Sequence, residues 1–406
     1  MPKQILIFVL AAGAAAAQLR LTEDQAVAKA LAARHSLAAA AERLRAARAR
    51  QQQARAWPNP RLTLYTEGIH PWSAQGYRIE EVAEYFAFAT QQIETGGKRA
   101  RRAEAAGGDA RIAALESQLE AARLGVQVRQ AYWSAAAARK TRESLEAAVA
   151  LLNEVIEIGA ARVSAGTLPE ADLIRARIEG QQLELESNSA TLEAERARIA
   201  LLQEMAASEF PEIEFATPFE VTAAPEIPAP ERAMVEQRIE LRIARQKVEN
   251  ARAALRLAEA EAVPDVDIQF GYKRTMGFDT LLGGVEIPLP LWNRNKGAIT
   301  ASNHEVGAAE AELAAQQALV RAEVQASSRE LSLRRREVIE LLPALRSHAE
   351  EIFRTALAGY RNGISGVHEL LDAQRNRSGL EARYYRSVGE YHRSRVALEY
   401  ATGMRH

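Results

Sequence analysis

The strongest constraint on this chain is a short stretch that occurs twice, 197 residues apart. Gly166–Ala176 reads GTLPEADLIRA, and Gly363–Ala373 reads GISGVHELLDA. In both copies an Ala-rich helical pattern ends at a glycine, and a new helical pattern begins a few residues later. Glycine favours the left-handed residue that ends a helix, and Pro169 suits a first helical turn. The sequence therefore predicts two helical hairpins, with tips near 164–168 and 361–366.

The two hairpins belong to the two halves of an internal tandem repeat. The first repeat is predicted to cover residues 18–209 and the second 231–406, with five prolines in the linker 210–230. Each half has the pattern helix, strand, strand, long helix, long helix. A proline-free helical pattern over 98–163 predicts a helix of about 100 Å. Its apolar residues recur at the spacing of coiled-coil packing.

Each repeat also contains one pair of predicted β-strands, at 61–70 and 84–93 and at 265–273 and 283–291. The period-two alternation of apolar and polar residues is clearest over Val266–Tyr272. Strands of this length can cross a membrane in a β-barrel. Because a barrel in lipid has no open edge, four strands cannot close, whereas three copies supply twelve. The sequence predicts a trimer whose long helices continue the barrel as a hollow α-cylinder.

Composition and the N-terminus narrow the cellular location. With 52 basic and 53 acidic residues the net charge is −1, which indicates no nucleic-acid partner. Cysteine is absent, which excludes thiolate metal sites, disulfides, thiol catalysis and a lipidated cysteine. Residues 1–17 have the pattern of a secretory signal peptide: Lys3, then a short apolar run, then small residues. The mature protein is expected beyond the inner membrane of a two-membrane bacterium.

Two motifs carry a resemblance to a known family. QQIETGGKR at Gln91–Arg99 and IPLPLWNRNKGAI at Ile287–Ile299 resemble the CzcC-like branch of the TolC-type outer-membrane efflux channels. The resemblance extends over essentially all of the mature chain. It implies a trimeric α-cylinder topped by a 12-stranded barrel, in the outer membrane of a Gram-negative bacterium with a periplasmic helical extension. It also implies a periplasmic membrane-fusion adaptor, an inner-membrane RND pump and passive export, with heavy-metal cations as the expected cargo.

The same resemblance suggests the pore constriction. Aligned on Gly363, Glu369 and Asp372 match two carboxylates that face the pore of TolC-type channels at the closed periplasmic end. Being three residues apart, they share one helix face. In a trimer they would form two rings of like charge, which attract cations and repel anions. The alternative is an ordinary solvated face whose acidic first turn is favoured by the helix dipole.

The resemblance further implies a gate and an adaptor surface. Tyr360 matches an aromatic residue that helps to hold the helices shut, and Asp172 matches a carboxylate that bonds it from the neighbouring hairpin. Ser365 stands where TolC itself has a basic latch residue, so the same latch is not expected here. The tip residues expected to contact the adaptor are Gly166, Thr167, Gly363 and Ser365.

No catalytic, cofactor or metal-binding pattern is present, so the chain is not expected to be an enzyme. Gly96-Gly97-Lys98-Arg99 lacks the first glycine of a phosphate-binding loop. His368 has no second histidine at ligand spacing, so it does not indicate a metal site. One alternative is the same fold exporting drugs, dyes or secreted proteins. Others are a soluble periplasmic coiled-coil scaffold, which would lack strands, and a membrane-fusion adaptor, which would lack the duplicated hairpins.

Overall fold

A computed structural model describes residues 19–69, 83–221 and 235–404. The expected signal peptide lies outside these residues, as does part of the expected linker. The helices are α1 Glu23–Ala33, α2 His35–Ala54, α3 Lys98–Ser164, α4 Glu170–Glu204, α5 Ile239–Glu261, α6 Lys296–Arg336, α7 Leu342–Arg361 and α8 Val367–Thr402. The strands are β1 Leu19–Leu21, β2 Arg61–Glu67, β3 Glu84–Ile93, β4 Ile213–Phe215, β5 Val266–Thr275 and β6 Phe278–Glu286.

The chain forms two compact units, and neither coincides with a sequence repeat. The helical unit comprises the described residues within 1–37, 120–238 and 320–406, and the sheet unit comprises those within 38–119 and 239–319. Each unit therefore takes residues from both repeats. The repeat describes the order of elements along the chain, whereas compact packing joins elements from the two halves.

The long helix expected over 98–163 is confirmed as α3, which has 67 residues and a length of about 100 Å. It begins after Gly96 and Gly97, whose φ angles are +62° and +73°. A Cβ atom on Gly96 would lie only 3.0 Å from the carbonyl oxygen of Ala260. The Lys98 ammonium lies 2.7 Å from a carboxylate oxygen of Asp265. The Gly-Gly-Lys motif thus turns the chain from β3 into α3 beside α5.

The second long helical segment is not continuous. A single π-helical turn at Glu337–Leu341 separates α6 from α7, and Pro343 follows it in the first turn of α7. Proline has no N–H to donate, and its ring would clash with the carbonyl group four residues earlier in a regular α-helix. Insertion of a π turn is one way in which a helix accommodates such a break.

The sheet unit contains an antiparallel four-stranded sheet with the order β2-β3-β5-β6. The β5–β6 hairpin reverses at Met276 and Gly277, whose φ angles are +48° and +82°. Two positive φ angles in a two-residue loop are typical of a type I′ turn. The alternation predicted for β5 is present, because Ile268, Phe270 and Tyr272 are exposed on one face of the sheet.

The expected bounds of the second strand pair need correction. The strand predicted at 283–291 is wrong: β6 runs from Phe278 to Glu286. Glu286 pairs with Asp267 near the beginning of β5, so residues beyond it have little of that strand left to pair with. Pro288 and Pro290 also lack the N–H groups that a ladder requires. The strand predicted at 265–273 is β5, 266–275.

The first strand pair follows the prediction more closely. The strand predicted at 84–93 is confirmed as β3. The strand predicted at 61–70 ends at residue 67 in β2, where Glu67 pairs with Glu84, the first residue of β3. The short parallel pair of β1 and β4 in the helical unit was not predicted.

The helical unit has a buried polar cluster in addition to its apolar cores. Arg129 donates to Glu23 at 2.5 Å and to Glu399 at 2.7 Å. Close by in the same unit, Trp133 stacks on His392 with ring centroids 3.6 Å apart. Burial lowers the pKa of His392 to about 4. At neutral pH this imidazole is therefore uncharged and acts as part of the packing.

A separate apolar cluster, here called the tip core, holds the two helical hairpins together. It draws residues from α3, α4, α7 and α8, and Tyr360 is one of its most buried members, with 1% of its surface exposed. Its larger members are Leu145, Leu152, Val155, Leu183, Phe353, Tyr360, Val367, Leu370 and Leu371. The tip core positions the residues described next.

Candidate functional site

The first tip joins α3 to α4 through a glycine-terminated helix end. Gly166 has φ +72°, and its N–H donates to the carbonyl of Val163 at 3.0 Å. The N–H of Thr167 donates to the carbonyl of Arg162 at 2.9 Å. These two bonds form a Schellman motif, which satisfies carbonyl groups that the end of the helix leaves without partners. The predicted tip near 164–168 is confirmed.

The second tip, between α7 and α8, has the same backbone arrangement. Gly363 has φ +73°, and its N–H donates to Tyr360 at 3.1 Å, while the N–H of Ile364 donates to Gly359 at 2.8 Å. Ser365 folds back against Gly359, where an added Cβ would lie 2.6 Å from the serine hydroxyl. The tip predicted near 361–366 is confirmed, and the sequence repeat extends to matching hydrogen bonds.

Most of the residues expected to contact an adaptor lie on the surface. Gly166, Thr167 and Gly363 are exposed, whereas Ser365 is only partly exposed and donates to the carbonyl of Ala356 at 3.3 Å. Ile364, which was not singled out from the sequence, has 84% of its surface exposed. An exposed isoleucine at the end of a hairpin is available for an apolar contact. Adaptor contact at these tips stays a prediction.

The two expected pore carboxylates lie on the first turns of α8, and both Glu369 and Asp372 are exposed. An oxygen of Asp372 accepts from the amide of Asn376 at 3.5 Å. Within the described part of the chain, neither carboxylate forms an ion pair. The second tip therefore presents two exposed carboxylates on one helix without an ion pair, and the charge of Asp372 acts at longer range on the Arg375 guanidinium, whose pKa it helps to raise.

The equivalent positions in the first tip have a different charge pattern. Asp172 matches Glu369 and Arg175 matches Asp372 at the repeat offset of 197. Arg175 donates to the Asp172 carboxylate at 3.1 Å, so the acid of the first tip is paired with a base one turn away. At these two equivalent positions the first tip carries an acid and a base, whereas the second carries two acids.

The expected gate residues are near one another but have other partners. Tyr360 is buried in the tip core, and its hydroxyl oxygen would lie 3.3 Å from a Cβ atom at Gly159. Burial raises the pKa of Tyr360; the positive charge of Arg162 opposes that shift, and the negative charge of Asp172 adds to it. The Asp172 carboxylate itself accepts from Arg175. The expected bond between Asp172 and Tyr360 across hairpins stays a prediction.

Arg162 links the two hairpins, and sequence reasoning missed it. Its guanidinium donates to the backbone carbonyls of Tyr360 and Arg361, both at 2.7 Å. It also lies 4.9 Å from the centroid of the Tyr360 ring, within range of a cation–π interaction. A basic residue in a last helical turn is a recognised C-cap signal. The signal did not reveal that the capped helix is α7 rather than Arg162's own helix α3.

A second arginine bridge lies further from the tips. The guanidinium of Arg375 on α8 donates two hydrogen bonds to the carboxylate of Glu179 on α4, at 2.8 and 2.5 Å. Bidentate pairs of this kind are stronger and more directional than single hydrogen bonds. The hairpins of one protomer are thus held together by the tip core and by two arginines.

The described residues contain no cluster of three or more His, Asp or Glu side chains suited to a metal ion. His368 is exposed beside Glu369. None of the helices within residues 19–69, 83–221 and 235–404 combines the length and the apolar character that a membrane span requires.

Comparison with known proteins identifies the family. The family model described as outer membrane efflux protein matches residues 26–207 and 232–404. The chain belongs to this family. The two matched ranges correspond to the two sequence repeats, each with its own hairpin. As an outer membrane efflux protein, the chain is a channel component of a tripartite efflux system and not an enzyme.

Individual relatives agree with this assignment. The chain is 25% identical over 395 residues to the cobalt-zinc-cadmium resistance protein CzcC of Cupriavidus metallidurans, covering 94% of this chain and 90% of that protein. The outer membrane channel CmeC of Campylobacter jejuni has a TM-score of 0.78 at 16% identity, covering 94% and 85%. The protein VceC of Vibrio cholerae has a TM-score of 0.75 at 19% identity, covering 94% and 96%.

A crystal structure of CusC also matches, with a TM-score of 0.79 at 15% identity, covering 94% of this chain and 92% of that chain. The predicted TolC-like fold is therefore confirmed, as is the outer-membrane location.

Proposed function

We propose that three copies of this chain form a passive outer-membrane duct for heavy-metal cations, and that the acidic second tip gates and selects the cargo. The cations would be delivered by a periplasmic membrane-fusion adaptor and an inner-membrane RND pump. The observation that carries the proposal is that Glu369 and Asp372 are both exposed on the same helix, near its tip. Rings of carboxylates in a pore favour cations over anions.

The trimer is supported by the edges of the sheet. β2 and β6 are edge strands with unpaired backbone groups on one side. The sheet exposes large apolar side chains, among them Phe270 at 63%, Leu281 at 74% and Val285 at 66%. An apolar face suits lipid, but an open edge in lipid leaves backbone groups without hydrogen bonds. Pairing β6 of one copy with β2 of the next removes the edges, and three copies give twelve strands.

The metal cargo is supported by similarity and by charge. The relative CzcC is named for resistance to cobalt, zinc and cadmium, and both sequence motifs that resemble its branch are present. A passive duct needs weak sites, because tight binding would slow the release of the cargo. Two exposed carboxylates per protomer meet that requirement, because among the described residues they belong to no cluster of three side chains suited to a metal ion.

Single-channel conductance in a planar bilayer tests the pore assignment. We expect the purified protein to form a small cation-preferring channel, and we expect Glu369→Gln/Asp372→Asn to lose that preference. Asp172→Asn is the matched control, because Asp172 occupies the equivalent position on the first tip and is already paired with Arg175. A double variant with unchanged selectivity would refute the role of the acidic pair and leave the channel fold intact.

A separate experiment tests the cargo. The chain is expressed with its cognate adaptor and pump in a strain that lacks its own outer-membrane channel, and growth is measured in cobalt, zinc or cadmium salts. We expect metal tolerance to increase. A strain that gains tolerance to dyes or drugs and none to metals would favour the drug-exporter alternative.

A further inference from the structure

Helix α4 has two apolar faces, and only one of them is covered. One face packs inside the helical unit, where Leu173, Ala176 and Leu183 are buried. The other is an exposed stripe in which successive apolar residues are seven positions apart. This α4 stripe consists of Ile178, Leu185, Leu192 and Ile199, with 51%, 67%, 59% and 37% of their surfaces exposed. An apolar residue at every seventh position supplies one of the two apolar positions per heptad through which helices pack in a coiled coil.

A second uncovered stripe begins in the π-helical turn and continues along α7. This α7 stripe consists of Leu341, Leu345 and Ile352, with 51%, 49% and 60% of their surfaces exposed. The spacings of four and seven again follow a coiled-coil seam. Both stripes lie in the helical unit, and both are exposed in the same protomer, so they do not cover one another.

The residues of the two stripes lie at matching heights, where height means the distance along the helix from the tip glycine. Ile178 is 12 residues after Gly166 and Ile352 is 11 before Gly363. Leu185 is 19 residues after the first glycine, and Leu345 is 18 before the second. One residue of helix corresponds to about 1.5 Å. The tips share one backbone arrangement, and Arg162 bonds directly from one to the other, so equal counts correspond to nearly equal heights.

The chain directions also suit such a pairing. α4 runs away from its tip and α7 runs towards its tip, so the two would meet antiparallel when copies stand in the same orientation in a membrane. Leu341, 22 residues before Gly363, would fall between Leu185 and Leu192, which are 19 and 26 residues after Gly166. Leu341 would therefore enter the gap between two residues of the α4 stripe, as a knob enters a hole in coiled-coil packing.

We propose that the α4 stripe of one protomer packs against the α7 stripe of the next copy, with Ile178 beside Ile352 and Leu185 beside Leu345. The two surfaces are different, so the contact is heterologous and closes into a ring if the rotation between copies allows it. The proposal rests on the homotrimer proposed above and adds its helical contact surface and register.

The absence of cysteine from the natural chain allows a direct test. Leu185→Cys/Leu345→Cys is treated in outer membranes with a short bismaleimide and analysed on a denaturing gel. We expect covalent species of two and three copies, and we expect neither single variant to produce them. Ile178→Cys/Ile352→Cys tests the next level of the same seam and should give the same products. Leu192→Cys/Ile352→Cys is the mismatched control, because its levels differ by about 22 Å, and it should remain uncrosslinked.

Other outcomes would overturn the proposal in distinguishable ways. Crosslinking that leaves only a monomer band of altered mobility would place both stripes in contact within one chain. Dimers from Leu185→Cys alone would indicate that two copies of α4 meet. No crosslink in either matched pair, with native mass spectrometry still showing three copies, would refute the seam and leave the trimer. A monomer in native mass spectrometry of the wild type would refute the trimer as well.

Discussion

The two hairpin tips share a backbone and differ in chemistry. Gly166 and Gly363 have φ angles of +72° and +73°, and each ends its helix with the same pair of hydrogen bonds. In the first tip Asp172 is paired with Arg175, whereas the equivalent positions of the second tip are two carboxylates, Glu369 and Asp372. A duplicated hairpin thus preserved the geometry that the turn requires while its surface charges diverged. The following predictions test that comparison and are ordered by their expected effect on stability.

The largest effect is expected at position 360. Tyr360→Ala should destabilise the tip core by about 3–5 kcal/mol, the usual cost of removing a large buried aromatic side chain. The control is Val163→Ala, at the equivalent position of the first tip, which is only partly buried and should cost about 1 kcal/mol. Thermal unfolding monitored by circular dichroism measures both variants. Equal shifts in the two thermal midpoints would show that Tyr360 stabilises the tip core no more than its counterpart Val163 does.

Loss of the bridge between hairpins should have the next largest effect. Arg162→Ala removes two hydrogen bonds from a charged donor to the end of α7, which should cost roughly 1–3 kcal/mol. Arg175→Ala removes an exposed ion pair and should change stability by less than about 1 kcal/mol. Hydrogen exchange of the backbone amides at residues 360–366 is the measurement. If Arg162→Ala leaves that exchange unchanged, the guanidinium does not stabilise the second tip.

The two glycines should respond alike. Gly166→Ala and Gly363→Ala each place a Cβ atom on a left-handed residue, which should cost about 1–2 kcal/mol. Neither added Cβ would meet another atom within 4 Å, so the cost is conformational rather than steric. Thermal midpoints should fall by similar amounts in both variants. A much larger fall in one of them would show that the tips do not share a backbone.

The smallest effect on stability is expected from copying the charge pattern of the first tip onto the second. Asp372→Arg copies the first tip's acid–base pair into the second and should change stability by less than about 1 kcal/mol, because the pair is exposed. Its effect on conduction should be large, with loss of cation preference. Reversal potentials in a salt gradient measure this, and Arg175→Ala is the control at the equivalent position of the first tip. Retained preference in Asp372→Arg would place the selective residues elsewhere.

Much of the fold could be predicted because local rules govern it. The tips follow from glycine's tolerance of a positive φ angle, and α3 follows from 67 residues without proline. Strand β3 matched its predicted bounds, and the Gly96-Gly97 turn into α3 follows it closely. The strand predicted at 283–291 failed because its apolar alternation continues through Pro288 and Pro290, beyond the residues that β5 can pair.

The candidate site likewise has features that the sequence predicts and features that only the structure reveals. The sequence by itself determined the repeat and the two tips, because a helix end depends on residues close together in the chain, and its resemblance to TolC-type channels singled out Glu369 and Asp372. Only the tertiary structure decided that Arg162 caps the other hairpin, that Arg375 binds Glu179, and that one face of α4 stays exposed. Those facts depend on which surfaces meet. The same helical periodicity occurs in a helix face that is buried within its own protomer and in a helix face that stays exposed.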